Sequence, residues 1–163
     1  MANQNTLLIF VPSNNESPIV SYATFDARNN RLVLDFDGNT NESAIFTGIL
    51  PKQYSGNGVT VYIHYAMSTD ISGTVEWEVQ FERIGDGVLD IDSDSFATAQ
   101  STGLVTVPGT SGHVDIASIA FTDGAQMDAL VAGEAFRIKV TRDAVNDSAS
   151  NDAELLAVEI RET

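Results

Sequence analysis

Between Thr74 and Arg83 every second side chain is apolar: Val75, Trp77, Val79 and Phe81 alternate with Thr74, Glu76, Glu78, Gln80 and Glu82. A β-strand sorts such a run into one apolar and one acidic side, because successive side chains point to opposite faces. The phase predicts that Trp77 is buried with Val75, Val79 and Phe81. Val59, Val61, Ile63, Tyr65 and Met67 form a second stripe just upstream, and the intervening Thr69-Asp70-Ile71-Ser72-Gly73 is rich in turn formers. An antiparallel hairpin of these two long strands is therefore expected. Weaker alternation predicts further strands over Leu7 to Val11, Ile19 to Phe25, Arg31 to Phe36, Ser43 to Leu50, Leu104 to Val107, Val114 to Phe121, Phe136 to Arg142 and Glu154 to Arg161.

One segment departs from this period. Asp123 and Gln126 have capping-box spacing, Met127, Leu130 and Val131 follow at helical spacing, and Gly133 suits the residue after a helix end. They predict a helix of about two turns. The Asn- and Ser-rich pieces at Ser13 to Ser17, Asn39 to Ser43 and Asn146 to Asp152 are short enough to be loops, and no internal repeat or linker divides the chain. Many short strands without βαβ alternation predict an all-β fold: an antiparallel two-sheet sandwich, jelly-roll-like, with one short helix, in a single domain over residues 1–163. An immunoglobulin-like sandwich is the second choice.

Charge narrows the partners. Against 23 acidic side chains stand only 8 basic ones, a formal net charge of -15. Such a surface repels a phosphate backbone and an anionic bilayer, so neither nucleic acid nor membrane is an expected partner. The apolar patch near the N-terminus is only Leu7 to Val11, without a preceding basic segment, so no export label is expected there. Without cysteine there is no disulfide and no thiolate metal site.

Residues able to do chemistry are few. His64 and His113 are the only imidazoles. His64 shares its strand face with Thr60 and Tyr62, opposite the apolar stripe, where it is either a binding-face residue or titrating contact, or an ordinary solvated or hydrogen-bonded strand histidine. No nucleophile–base order can be built on either, and no catalytic residue is assigned. Asp86, Asp90, Asp92 and Asp94 are a candidate calcium ligand set, since clustered loop carboxylates supply the hard oxygen ligands calcium prefers. The EF-hand spacing fails, however: Ser95 stands where glycine is required and Ser101 where glutamate is required. Asp143, Asn146 and Asp147 are read with the same reserve. Calcium is thus the sole candidate cofactor, set against a plain solvated loop. Tyr22, Tyr54, Tyr62 and Tyr65 are the tyrosines that could stack on sugar rings, whereas Trp77 belongs to the apolar phase.

The run Val59-Thr-Val-Tyr-Ile-His-Tyr-Ala-Met-Ser followed by Gly73-Thr-Val-Glu-Trp-Glu-Val-Gln-Phe-Glu-Arg resembles small jelly-roll virion proteins of tailed bacteriophages. Asp92-Ser-Asp-Ser-Phe-Ala-Thr-Ala-Gln and Asp152-Ala-Glu-Leu-Leu-Ala-Val-Glu-Ile-Arg-Glu extend the likeness over roughly residues 55 to 163, as a likeness of pattern. It implies a non-enzymatic structural protein on the virion surface, made in the host cytoplasm. One version is a head-decoration (cement) protein, a homotrimer that binds the major capsid protein and stabilises the shell. The alternative is a receptor- or carbohydrate-binding domain of a tail fibre or spike. The absence of a repetitive shaft favours decoration. On that reading the candidate contact residues are Leu7, Leu8, Ile9 and Phe10, in a candidate N-terminal arm over residues 1–12, together with the acidic Glu76, Glu78 and Glu82. An ordinary first strand is the competing reading of the arm.

Overall fold

The computed structural model describes residues 5–87 and 89–163. Among them ten strands form: β1 (Thr6–Phe10), β2 (Thr24–Arg28), β3 (Arg31–Phe36), β4 (Glu42–Ile49), β5 (Val59–Met67), β6 (Thr74–Ile84), β7 (Gln100–Thr106), β8 (Val114–Phe121), β9 (Ala135–Arg142) and β10 (Ala153–Glu162). They build two sheets. The first has the order β2-β3-β10-β5-β8, with β1 also on β10, and the second has the order β4-β9-β6-β7. β3 pairs with Ala153 to Leu155 and β1 with Val158 to Arg161, so the two share one edge of β10 end to end. Every strand pair is antiparallel. This is the two-sheet, jelly-roll-like sandwich that the alternation predicts.

The core lies between the sheets. Val75, Trp77, Val79 and Phe81 of β6 are all at 0% exposure, in the predicted phase. Trp77 packs edge-on against Phe36 and Tyr65 of the opposite sheet, with ring centroids 5.1 and 5.4 Å away. Four residues along β6, Phe81 meets Phe121 at 4.9 Å and Phe136 at 5.7 Å. Such pairs add directional contact to the burial of large apolar rings.

Three expectations are corrected. β5 and β6 do not form a hairpin: β5 lies between β10 and β8, whereas β6 lies between β9 and β7 of the other sheet. As neighbours in one sheet, both stripes would face the same way and still need a covering layer. Placed in opposite sheets they cover each other, and residues 68–73 make the crossing. The expected strand at Ile19 to Phe25 is displaced to β2. Ile19 and Val20 are exposed, Ser21 has a left-handed φ of 50°, and only a parallel bridge from Tyr22 to Ser43 remains there. The helix shrinks to one 3-10 turn, Ala125–Met127, ended by Asp128 and Ala129 at φ 57° and 53°. Asp123 does not cap it: Gly124 takes the N-cap position without a side-chain cap, and Asp123 Oδ1 accepts the Tyr54 hydroxyl at 2.7 Å. The Gln126 Oε1 instead accepts from the Thr122 amide at 2.7 Å. A second 3-10 turn spans Pro12–Asn14.

The arm reading also changes. β1 is an ordinary first strand, with Leu7 and Phe10 in the core, Leu8 packed against it and Ile9 60% exposed. Phe10 stacks on Phe46 at 5.5 Å, in space that a side chain at Gly48 would fill: a Cβ there would lie 2.9 Å from the Phe10 ring. Residues 1–4 of the expected arm lie outside the described residues. No helix among the described residues is long and apolar enough to cross a membrane.

Candidate ligand-binding face

Alternation on β5 sends Val59, Val61, Ile63 and Tyr65 inward and leaves Thr60, Tyr62 and His64 on the outer face of the six-stranded sheet. Cross-strand register sets their neighbours. On β10, Glu159 stands opposite Tyr62 and Arg161 opposite Thr60. On β8, Ser118 stands opposite Tyr62, Ile116 opposite His64 and Val114 opposite Ala66.

A polar network binds the centre of this face. Arg161 Nε and Nη2 donate to the two carboxylate oxygens of Glu159 at 2.8 Å each. The Thr6 hydroxyl donates to Glu159 Oε1 at 2.5 Å, and His64 Nε2 lies 3.5 Å from Oε2. The Arg161 guanidinium lies over the Tyr62 ring, 4.2 Å from its centroid. The Arg161 hydrogen bonds, followed by those from Thr6 and His64, hold the Glu159 carboxyl down at about 2. His64 thus stands on the outer face beside Glu159, a placement that both readings of this histidine allow. His113 is exposed near a turn.

Further along β5 the face deepens into a groove of about 460 Å³. Its apolar lining is Val33, Ala66, Val114 and Leu156, and its polar lining includes Arg28, Arg31 and Glu154. Arg28 forms an ion pair with Glu154 and also donates to the Met67 carbonyl at 3.0 Å. Thr60 to Ala66 spans about 20 Å at 3.3 Å per residue, so network and groove form one elongated surface. Alternating apolar patches and hydrogen-bonding groups suit a sugar chain, which presents C–H faces and hydroxyl edges. Asp35, on β3 near this groove, is raised to about 6, chiefly by burial and then by the charges of Asp26, Glu154 and Asp152.

The other candidate residues fall elsewhere. Glu76, Glu78 and Glu82 lie on the outer face of the second sheet, but not as a bare acidic surface. Glu82 is buried and accepts from Arg137 at 2.5 Å, while Glu76 accepts from the Ser101 hydroxyl. Phe96 closes over this face, beneath Arg137 at 5.2 Å and Lys139 at 4.9 Å from its ring centroid. Strand phase places the three glutamates outward, but it does not reveal that β9 brings cations beside them. Asp86, Asp90, Asp92 and Asp94 are not gathered: among the described residues no three acidic or histidine side chains converge as a metal ligand set. Asp90 instead organises its own turn, accepting from the amide of Asp92 at 3.0 Å. Of the tyrosines, Tyr65 and Tyr54 are buried, Tyr22 is exposed, and Tyr62 belongs to the face described above. Nothing in the sequence pattern marks Arg28, Arg31 or Glu154 as partners in one groove, since Arg28 and Glu154 are 126 positions apart.

No protein-family model and no curated protein matches this sequence. Solved structures do. The chain is similar to the CBM22-2 xylan-binding domain of Paenibacillus barcinonensis Xyn10C, with 13% identity, a TM-score of 0.55, and coverage of 96% of this chain and 99% of that one. It is also similar to a xylan-binding module, CBM15, with 8% identity, a TM-score of 0.50, and coverage of 96% and 97%. At these identities the likeness is one of fold, the jelly-roll β-sandwich. Of the resemblance to jelly-roll virion proteins, these structures bear out the jelly-roll fold.

Proposed function

We propose that this chain is a non-catalytic carbohydrate-binding domain whose glycan lies along the outer face of the six-stranded sheet. The observation that carries this reading is the continuity of the Tyr62–Arg161–Glu159 network with the groove at Ala66, Val114 and Leu156. The network offers the half-buried Tyr62 ring, with the Arg161 guanidinium against one face, and fixed hydrogen-bonding groups, and the groove adds an apolar floor. The similarity to two xylan-binding domains of matching length supports it. Coupled with the sequence resemblance, the reading makes the chain a receptor-binding domain of a phage tail fibre or spike. The head-decoration version, a homotrimer seated on the major capsid protein, draws on that resemblance and the lack of a repetitive shaft, and two of the apolar residues it invoked, Leu7 and Phe10, lie in the core.

Isothermal titration of the purified chain against xylan, mannan and related oligosaccharides tests the proposal. Binding is expected, with Tyr62→Ala weakening it at least tenfold while the melting temperature holds. A chain that binds no glycan at millimolar concentration, yet sediments as a trimer and saturates undecorated phage heads, overturns the proposal in favour of decoration.

A further inference from the structure

Arg28 and Arg31 stand directly opposite each other across the β2–β3 hairpin, at the tip that lines the groove. The turn between them is Asn29-Asn30, both left-handed at φ 48° and 61°, the conformation that matches a tight two-residue hairpin to the strand twist. Both guanidiniums are thus carried on a short, defined turn. Like charges directly opposite each other on a sheet oppose its formation, so the pair calls for an anion.

Only one of the two has its anion. Arg28 is held by Glu154 and the Met67 carbonyl, and Gly112, at φ 75°, leaves it room: a Cβ there would lie 2.8 Å from Arg28 Nη2. Five of the eight basic side chains form ion pairs with carboxylates, and Lys139 sits over Phe96. That leaves Arg31 and Lys52 without an ion-paired or hydrogen-bonded partner among the described residues. In a chain of net charge -15 that ion-pairs five of its eight cations, an open guanidinium beside an apolar groove floor is a specific feature.

Resting on the glycan-binding reading, we infer that the groove selects a sugar bearing a carboxylate, a uronic acid, with Arg31 as its bidentate partner and the apolar floor beneath the ring. A planar carboxylate matches the guanidinium fork, whereas a hydroxyl offers a single acceptor.

The test compares three oligosaccharides by titration with the full chain: a xylooligosaccharide carrying a glucuronic acid branch, its carboxyl-reduced counterpart, and a sulfated xylooligosaccharide without uronic acid. The expected result is at least tenfold tighter binding of the uronic acid form than of the reduced form, a preference that shrinks as salt is raised. Arg31→Ala should erase that preference, and Arg31→Lys should restore part of it. Equal binding of the carboxylated and reduced forms, both lost in Tyr62→Ala, overturns the uronic acid inference and leaves the glycan-binding reading standing. Preference for the sulfated form over the carboxylated one overturns it too. Binding of none of the three, nor of any neutral glycan, overturns both readings.

Discussion

Arg142 and Asp147 form a fully buried ion pair, with Nε and Nη2 donating to the two carboxylate oxygens at 2.8 and 3.2 Å. The remaining donors reach the carbonyls of Phe36, Asn151 and Ala149 at 3.2, 2.7 and 2.5 Å. Arg142 continues the inward phase of Phe136, Ile138 and Val140, so its strand drives a charge into the sandwich. All five guanidinium N–H groups then find acceptors, which is the condition under which a buried arginine is tolerated.

Removing the guanidinium strands the Asp147 carboxylate and three carbonyls. Arg142→Ala is expected to cost about 3 to 5 kcal/mol, and Arg142→Met together with Asp147→Asn should recover part of it by removing the unpaired charge. Chemical denaturation measures both. A single Arg142→Ala within 1 kcal/mol of the parent (about a factor of five in the equilibrium) would refute the network's role.

Trp77 and Glu78 are adjacent in sequence and opposite in environment. Trp77→Ala should cost about 3 to 5 kcal/mol, the usual range for an emptied aromatic site. Glu78 is raised above the usual carboxylate range by burial first, then by Asp143 and Glu76. Glu78→Gln removes that strain and should leave the melting temperature unchanged or slightly higher. Equal losses for the two variants would contradict the strand phase.

Asp35 gives stability a pH signature. Its carboxyl is raised from 3.8 to about 6 in the folded chain, so the folded state binds the proton more tightly than the unfolded one. The benefit of the protonated form is full below about pH 4 and is lost as pH rises through 6. Asp35→Asn should therefore stabilise the protein at pH 8 by about 1 kcal/mol, after discounting for solvent screening. At pH 4 the gain should vanish. Melting curves at the two values decide, and a gain confined to low pH would reverse the assignment.

Chelation addresses Asp86, Asp90, Asp92 and Asp94. Because these carboxylates do not converge, EDTA should leave melting temperature and sedimentation unchanged. A drop on chelation that added calcium reverses would show a bound ion at work.

Much of the strand layout was readable from composition along the chain. The phase of Val75, Trp77, Val79 and Phe81, and the outward placement of Tyr62 and His64, follow from the two-residue repeat of an extended backbone, a local property that needs no knowledge of partners. The sandwich class follows as well, since stripes of this kind need a second layer. Which stripe covers which was decided only in the folded state. β5 and β6 carry similar apolar faces, so hairpin and cross-sheet arrangements share one local pattern and differ only in long-range packing. The same holds for the sites. The acids of residues 143–152 are equivalent in sequence, yet Asp147 alone meets Arg142, while Asp143 accepts from Asn41 and Asn146 at 2.9 and 2.6 Å. Arg28, Glu154 and Gly112 meet in one groove because β3 and β10 are paired and Gly112 donates to the Met67 carbonyl at 3.0 Å. Charge and side-chain type set what each residue can do, but the pairing of distant strands determines what it does it with.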